Sequence, residues 1–414
     1  MTGMAEFVVV GASLAGAKAV ETLRAEGFAG RITLIGAETE RPYERPPLSK
    51  GYLQGSQERD KAFVHEPGWY REHDVDLILG LPVTALDPHA HTVTVDRVDR
   101  IGYDKLLLAT GSRPRVLDLP GSDNLGLRYL RTLADADALR AAFRPGANVV
   151  VVGGGWIGLE TAAAAIGHGC TVTLIEREAA PPLARVLGAE VGEIFQALHE
   201  SHGVRVLRDS TVREFGGLSG RLTHLVLDDN LEIPADVAVI GVGIAPNVEL
   251  ASAAGLLVDD GIVTDASMRT SDPDIYAAGD VASSLNPLLG KRIRVEHWAN
   301  ARNGGPAAAR AMLGRDVVYD RLPYFFSDQY DLGMEYAGYV EPDGYDRVVF
   351  RGDVAGREFL AFWTRERRVL AGMNVNVWDV QDDIQRLVRA GYAGRSVDLD
   401  RLADPAVALA DLTG

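Results

Sequence analysis

The sequence predicts an α/β protein with two Rossmann-like domains, one inserted into the other, followed by a C-terminal α+β domain. Three observations carry this expectation: a strand, glycine turn, helix and strand near the start, a second such unit from residue 148, and a run of alternating strands after residue 322. The 414 residues suffice for two to four domains, at about 100–200 residues each. A hydrophobic content of 47% with 24% charged residues is ordinary for a globular chain, so compact structure is expected nearly throughout.

The first unit opens with a strand pattern at 6–10 and turns through "GASLAG", which holds Gly11 and Gly16. Helical spacing then runs to Leu23 and Ala25, and "RITLIGAE" supplies the next strand, with Glu38 at its end. The familiar turn is G-x-G-x-x-G, with its second glycine bare where the backbone approaches a pyrophosphate; here that position is Ser13. The second unit, "NVVVVGGGWIGLETAAAAIGHGCTVTLIERE" at 148–178, keeps Gly153, Gly155 and Gly158 and ends its second strand on Glu176. Unpaired N–H groups and the helix dipole attract phosphate, and an acid at the strand end accepts from ribose hydroxyls. Ordinary crossover turns would explain one such unit more readily than two, each closed by an acid. Two dinucleotide sites are therefore expected. Glu176 favours NADH because a carboxylate repels the 2′-phosphate of NADPH; the adjacent Arg177 softens that choice and keeps NADPH as the alternative.

The net charge of −16, from 42 basic and 58 acidic residues, argues against nonspecific affinity for nucleic acid or anionic lipid. No apolar run reaches the roughly 18 residues of a membrane span, and the start lacks the positive region of a signal peptide, so a cytoplasmic protein is expected. The single cysteine, Cys170, excludes an intrachain disulfide or redox pair and stands where a small buried residue is ordinary. His199 and His202 in "QALHESHG" have ligand-like spacing, but a solvated helix end is the expectation and no metal site is predicted.

Further stretches are "PYERPPLSKGYL" (42–53), "LLLATGSRPR" (106–115), "RYLRTL" (128–133) and "TSDPDIYAAGDVA" (270–282). Together with both turns they resemble the FAD-dependent NAD(P)H–ferredoxin reductases of bacterial oxygenase systems, over about residues 6 to 380. The resemblance implies a glutathione-reductase-like architecture: residues 1–112 and 245–321 for FAD, 113–244 for NAD, and 322–414 as the third domain. It further implies that Gly11, Ser13, Leu14, Ala15 and Gly16 take the FAD pyrophosphate and Glu38 its ribose. Arg45 and Lys50 would contact the flavin, and the Val83 backbone the adenine. Ala109, Thr110, Gly111, Arg131, Gly279 and Asp280 are further FAD positions, with Asp280 near the ribityl chain. Glu296 falls where the family approaches the nicotinamide end, and His297 and Trp298 fall beside the flavin, as does Phe326, where relatives often carry Trp. Gly153, Gly155, Ile157, Gly158, Glu160, Glu176, Arg177, Arg185 and Gly243 match the NADH site.

Lys50, Glu160 and Trp298 are the implied catalytic residues, Lys50 set in a proline-braced loop and paired with Glu160. A solvated Lys50, a turn-forming Asp280 and a core Trp298 are the blander alternatives. The implied reaction is hydride transfer from NADH to FAD, then single-electron transfer to an acidic iron–sulfur ferredoxin serving a cytochrome monooxygenase or a dioxygenase. Lys291, Arg292, Arg294, Arg302 and Arg310 form a candidate basic docking patch or a solvated face. A rubredoxin reductase, an NADH:acceptor oxidoreductase and a signalling flavoprotein are the competing readings, and either a monomer or a homodimer is compatible. In the last domain, "RVVFRG", "EFLAFWTR" and "RVLAGMNV" read as antiparallel strands and "VQDDIQRLVRAG" as a helix.

Overall fold

The computed structural model describes residues 4–96 and 99–412. The chain forms two compact units. The first runs to Glu44 and includes Asp60–Arg113 and Ala245–Phe325; the second comprises Arg45–Arg59, Pro114–Ile244 and the chain from Phe326 onward.

The first unit is organised by a five-stranded sheet in the order Ile275–Ala277, Lys105–Leu108, Glu6–Val10, Arg31–Gly36, Val75–Leu79, parallel throughout. Its central strand reads as a continuous apolar run because both faces are covered: Val8 and Val9 are fully buried. Each such side chain contributes about 1.5–3 kcal/mol over its exposed state. Helix Leu14–Ala25 covers one face, packing Ala15, Ala19, Val20 and Leu23 into one core with Phe7 and Val9. Helix Trp298–Met312 packs closely on it through small residues, since a Cβ on Gly305 would collide with the Ala15 carbonyl.

The second unit repeats the plan with the parallel order Arg205–Leu207, Thr171–Ile175, Asn148–Val152, Val237–Ile240, Leu127–Arg128. Helix Trp156–Gly167 follows the central strand and buries Leu159 and Ala162 to Ala165. The expected C-terminal strands form an antiparallel sheet of Leu332–Gly338, Arg368–Val375, Glu358–Arg365 and Arg347–Asp353, with Tyr324–Gln329 at its edge. Helix Gln381–Tyr392 lies on this sheet, its acids Asp382 and Asp383 in the first turn and Arg389 in the last, as the helix dipole favours. Among the described residues no helix is long and apolar enough to cross a membrane.

One sequence expectation fails here. His199 does not lie on a solvated helix end: it is fully buried in Ala189–Ser201, with Nε2 2.8 Å from Gln329 Oε1 and Nδ1 3.1 Å from Tyr330 Oη. Local polarity marked "HESHG" as surface, whereas a strand distant in sequence supplies the cover.

Candidate active site

Six helices in the described residues run ten residues or longer, and three carry a side-chain cap or an acid at their own N-termini. Leu133–Ala142 has a Thr132–Asp135 capping box, Ala189–Ser201 carries Glu190 in its first turn, and Gln381–Tyr392 carries Asp382 and Asp383. The other three, Leu14–Ala25, Trp156–Gly167 and Trp298–Met312, have neither a side-chain cap nor an acid there. A helix N-terminus left in this way is suited to an anion. Two of these helices are those that follow the glycine turns.

In the first unit, Gly11 has φ +119°, its N–H donates to Ile35 O at 2.8 Å, and Ser13 caps helix Leu14–Ala25 in an extended conformation without using its hydroxyl as a cap. Glu38, beyond the second strand, accepts from the Tyr43 hydroxyl. Thr110 and Asn247 exchange two hydrogen bonds of 2.8 Å, one from Thr110 Oγ1 to the Asn247 carbonyl and one from Asn247 Nδ2 to the Thr110 carbonyl, fixing the "ATG" turn, where Gly111 has φ +65°. Gly279 has φ +79°, and a Cβ there would stand 3.2 Å from that of Ala15; next to it Asp280 accepts from Ser112 Oγ at 2.8 Å. The small residues at the head of helix Leu14–Ala25 and the "AAGDVA" segment are thus brought together. Val83 opens a strand of a separate antiparallel sheet in the same unit.

The entry to helix Trp298–Met312 is polar and crowded. Glu296 is exposed, yet surrounding protein pushes its carboxyl upward despite its ion pair with Arg294, and Asp280 adds to the shift. His297 packs against Phe325 at 4.6 Å between ring centroids, its pKa is lowered to about 4 by desolvation, and its buried Nδ1 has no protein hydrogen-bond partner. Trp298 has the Arg302 guanidinium over its ring at 4.8 Å. An exposed acid on a crowded floor and an orphaned buried nitrogen fit a polar group lying over them.

The basic patch is smaller than the sequence suggests. Arg294 is mostly covered and bridges Asp260 at 3.2 Å as well as Glu296, and Arg310 pairs with Glu26 at 2.8 Å. Both charges are neutralised within the unit.

In the second unit, Gly153 has φ +106°, its N–H donates to Ile175 O at 2.8 Å, and the Cβ direction of Gly155 meets nothing within 4 Å. Glu176 accepts from the Gly154 N–H at 2.7 Å and from its neighbour Glu178 N–H at 3.0 Å, while Arg177 pairs with Glu178 rather than with the turn. Exposed Ile157 stands at the head of helix Trp156–Gly167, Arg185 lies in the short helix Ala184–Leu187, and Gly243 has φ +99° and accepts from Arg115 N–H at 2.9 Å. Arg45 donates to the Arg131 carbonyl, joining two further expected positions.

Glu160 is 2% exposed in the same unit. Its Oε1 accepts from Lys50 Nζ at 2.6 Å and Ser327 Oγ at 2.7 Å, and its Oε2 from Ser49 Oγ. Lys50 Nζ also lies 5.3 Å from the Phe326 ring centroid. A buried carboxylate with three donors, one of them cationic, is a fixed electrostatic element rather than a solvated pair.

A family model, pyridine nucleotide-disulphide oxidoreductase, matches residues 5–305. The chain belongs to that family. A second model, reductase C-terminal, matches residues 324–413. Among this oxidoreductase's relatives is the anthranilate 1,2-dioxygenase system ferredoxin–NAD(+) reductase component of Burkholderia cepacia, 42% identical over 97% of this chain and 98% of its own. Putidaredoxin reductase of Pseudomonas putida is 39% identical over 89% and 88%. The solved covalent putidaredoxin reductase–putidaredoxin complex matches with a TM-score of 0.93 at 35% identity, covering 99% of this chain and 98% of that one. This oxidoreductase is NAD(P)H-dependent, and its cofactors are FAD and NADH. In a family named for disulphide chemistry it has one cysteine, the buried Cys170, whose thiol is pushed up by burial and donates to the Arg144 carbonyl at 3.4 Å.

Sequence reasoning found Lys50 and Glu160 but missed Ser49 and Ser327, which complete the carboxylate's hydrogen bonds. A signal existed for Ser327. In "YFFSDQ" the period-two alternation puts Ser327 and Gln329 on the buried face with Phe325, and polar residues on such a face call for partners.

Proposed function

We propose that this chain is an FAD-dependent NADH–ferredoxin reductase that supplies an iron–sulfur ferredoxin of an oxygenase system. The observation that carries the reading is the pair of glycine turns leading into helices with uncapped, acid-free N-termini, each followed by an acid at 38 or 176. The names of the relatives support the same activity: an anthranilate dioxygenase ferredoxin–NAD(+) reductase component and a putidaredoxin reductase.

The first turn, Gly11, Ser13, Leu14, Ala15 and Gly16, takes the FAD pyrophosphate on the head of its helix, and Glu38 accepts from the ribose. Val83, Ala109, Thr110, Gly111, Gly279 and Asp280 line the remainder, and the orphaned Nδ1 of His297 finds a partner there, beside Glu296 and Trp298. Arg45, Arg131 and Phe326 belong to the same reading. Gly153, Gly155, Ile157, Gly158, Glu176, Arg177, Arg185 and Gly243 receive NADH, with Glu176 selecting it over NADPH. The domain assignment follows: 1–112 with 245–321 for FAD, 113–244 for NAD, and 322–414 as the reductase domain.

When bound, FAD supplies the two-electron to one-electron conversion that the polypeptide cannot perform. The protein's part is electrostatic and positional. Lys50 presents a cation held by Glu160, Ser49 and Ser327 keep that carboxylate in place, and the uncapped helix heads oppose the negative charge of the pyrophosphates. The ferredoxin is acidic and docks by charge, with Arg294 and Arg310 outside the docking set because acids already hold them.

Anaerobic stopped-flow mixing with NADH, then with a small [2Fe–2S] ferredoxin, tests the proposal. NADH bleaches the flavin absorbance with a higher kcat/KM than NADPH, and the ferredoxin restores it at a rate that falls with added salt. Failure of NADH to bleach the flavin overturns the reductase reading. Recovery with rubredoxin or a quinone but not with ferredoxin replaces the electron acceptor.

A further inference from the structure

Four hydrogen bonds run through the second unit and end on Glu160. Tyr330 Oη lies 3.1 Å from His199 Nδ1, His199 Nε2 lies 2.8 Å from Gln329 Oε1, Gln329 Nε2 lies 3.1 Å from Ser327 Oγ, and Ser327 Oγ lies 2.7 Å from Glu160 Oε1. His199, Gln329, Ser327 and Glu160 are all buried, and only Tyr330 at the far end is partly exposed. The proposed reaction employs Glu160 and Ser327 but has not employed Gln329, His199 or Tyr330.

The direction of each bond is fixed by counting protons. A carboxylate paired with Lys50 can only accept, so Ser327 commits its single hydroxyl proton to Glu160. The Ser327 oxygen must then accept from the Gln329 NH2 group, which turns the Gln329 carbonyl toward His199. His199 therefore carries its proton on Nε2. Desolvation holds the ring neutral, with its pKa lowered to about 4, so Nδ1 is bare and accepts from the Tyr330 hydroxyl. Reversing the Gln329 amide would set two acceptors against each other at Ser327 and two donors at His199, and reversing the His199 tautomer would set two acceptors against each other at Gln329.

We propose that Gln329 and His199 are positioning residues that lock the Ser327 proton onto Glu160 and so hold the Glu160–Lys50 pair in one geometry. The proposal rests on the reading of that pair as part of the reaction site. Without Gln329, the Ser327 hydroxyl regains other rotamers and other acceptors, and Glu160 loses one of its three fixed donors. Around the carboxylate the charged groups are Lys50 and Asp328, the latter raised by burial and sensing Lys50, Glu160 and Glu335. Around His199 the facing titratable groups are Tyr330 and His202, and His202 stacks on Tyr330 with 3.7 Å between ring centroids.

The test uses the flavin-loaded enzyme labelled with 15N-histidine, with the His199 signals assigned by their loss in His199→Phe. The wild type should show a neutral Nε2–H tautomer at pH 7. Ser327→Ala, which touches Gln329 but not His199, should shift the His199 Nε2 proton signal, and Ser327→Thr, which keeps the hydroxyl, should restore it. Gln329→Leu, which keeps the volume, should lower flavin reduction at saturating NADH about fivefold while leaving the NADH Kd within about twofold, as expected for loss of alignment rather than binding. An Nδ1–H tautomer, a His199 signal indifferent to Ser327→Ala, or a wild-type reduction rate in Gln329→Leu overturns the proposal. The tautomer is read on the wild type, so it decides even if a variant fails to fold. Flavin that NADH cannot reduce would instead sink the reductase reading while leaving the tautomer and coupling measurements intact.

Discussion

The two glycine turns are near copies in backbone and differ at their middle position. Gly11 and Gly153 have φ of +119° and +106°, and each donates its N–H over 2.8 Å to the last carbonyl of its parallel strand pair, Ile35 or Ile175. A Cβ on either would run into a carbonyl, of Ala109 or Gly241, and one on Gly16 or Gly158 would strike the carbonyl of Gly11 or Gly153. At the middle position, Ser13 and Gly155 are both extended, with φ of −125° and −81°, and the space beyond Gly155 is open. The outer glycines are therefore demanded by the protein's own packing, whereas the middle one answers only to what lies across the turn. Ser13 breaks a ligand rule and leaves the folding rule intact.

The largest test of that division is at the first glycines. Gly11→Ala and Gly153→Ala each force a left-handed backbone on an L-residue and a carbonyl collision, for a combined cost of about 2–5 kcal/mol. Thermal unfolding should record a comparable drop for both, and a mild effect at either position would show that the two turns are not built alike.

Acid should then separate the units that carry the turns. An unfolded histidine takes up its proton near pH 6.5, but buried His199 does so only at about 4, so between those values the unfolded state binds more protons and stability falls as pH falls. The full loss is about 3 kcal/mol at 1.36 kcal/mol per pKa unit. His297 in the first unit has the same sign, but the residue as a whole is half-buried where His199 is fully buried, so its contribution is smaller. Denaturant melts at pH 7 and pH 4.5, compared between wild type and His199→Phe, should show the pH loss shrinking in the variant.

Both turns were legible because each is local: strand, glycines, helix and acid lie within one βαβ stretch, and continuous Val or Ile runs signal strands buried on both faces. The anchoring of the Glu160 carboxylate by three donors was not legible. Glu160 meets Ser327 across 167 residues, and His199 meets Gln329 across 130, so no local pattern could announce either contact. The segment Arg45–Arg59 is tied to the second unit in the same nonlocal way, by the Tyr52 hydroxyl on Asp137, the Arg140 guanidinium over the Tyr52 ring, and His168 Nε2 at 2.8 Å from the Leu53 carbonyl. The expected solvation of His199 failed for that reason: polar residues flank it in "HESHG", and its neighbours in space are not its neighbours in sequence.

The acids that close the two turns also differ. Glu38 accepts from Tyr43, whereas Glu176 is held against its own turn by the Gly154 and Glu178 N–H groups. Glu176→Gln keeps an acceptor oxygen and removes the repulsion of a 2′-phosphate, so the NADH to NADPH ratio of kcat/KM should fall about tenfold, near 1.4 kcal/mol. An unchanged ratio would assign cofactor choice elsewhere, Arg185 first.

The smallest effects should come from exchanging the middle residues. Gly155→Ser adds a side chain into open space on extended backbone, so stability should stay within about 0.5 kcal/mol, the usual range for a surface change. If the open space is where the exchanging nucleotide lies, the same variant should raise the NADH KM severalfold with little change in kcat. Ser13→Gly should keep FAD bound and cost only a few tenths of a kcal/mol at the helix cap, because the Ser13 hydroxyl makes no cap bond that its removal would break. Flavin lost on gel filtration of Ser13→Gly would show that the hydroxyl donates to the resident nucleotide and that the first turn depends on its exception; flavin retained would show that the serine is merely tolerated there.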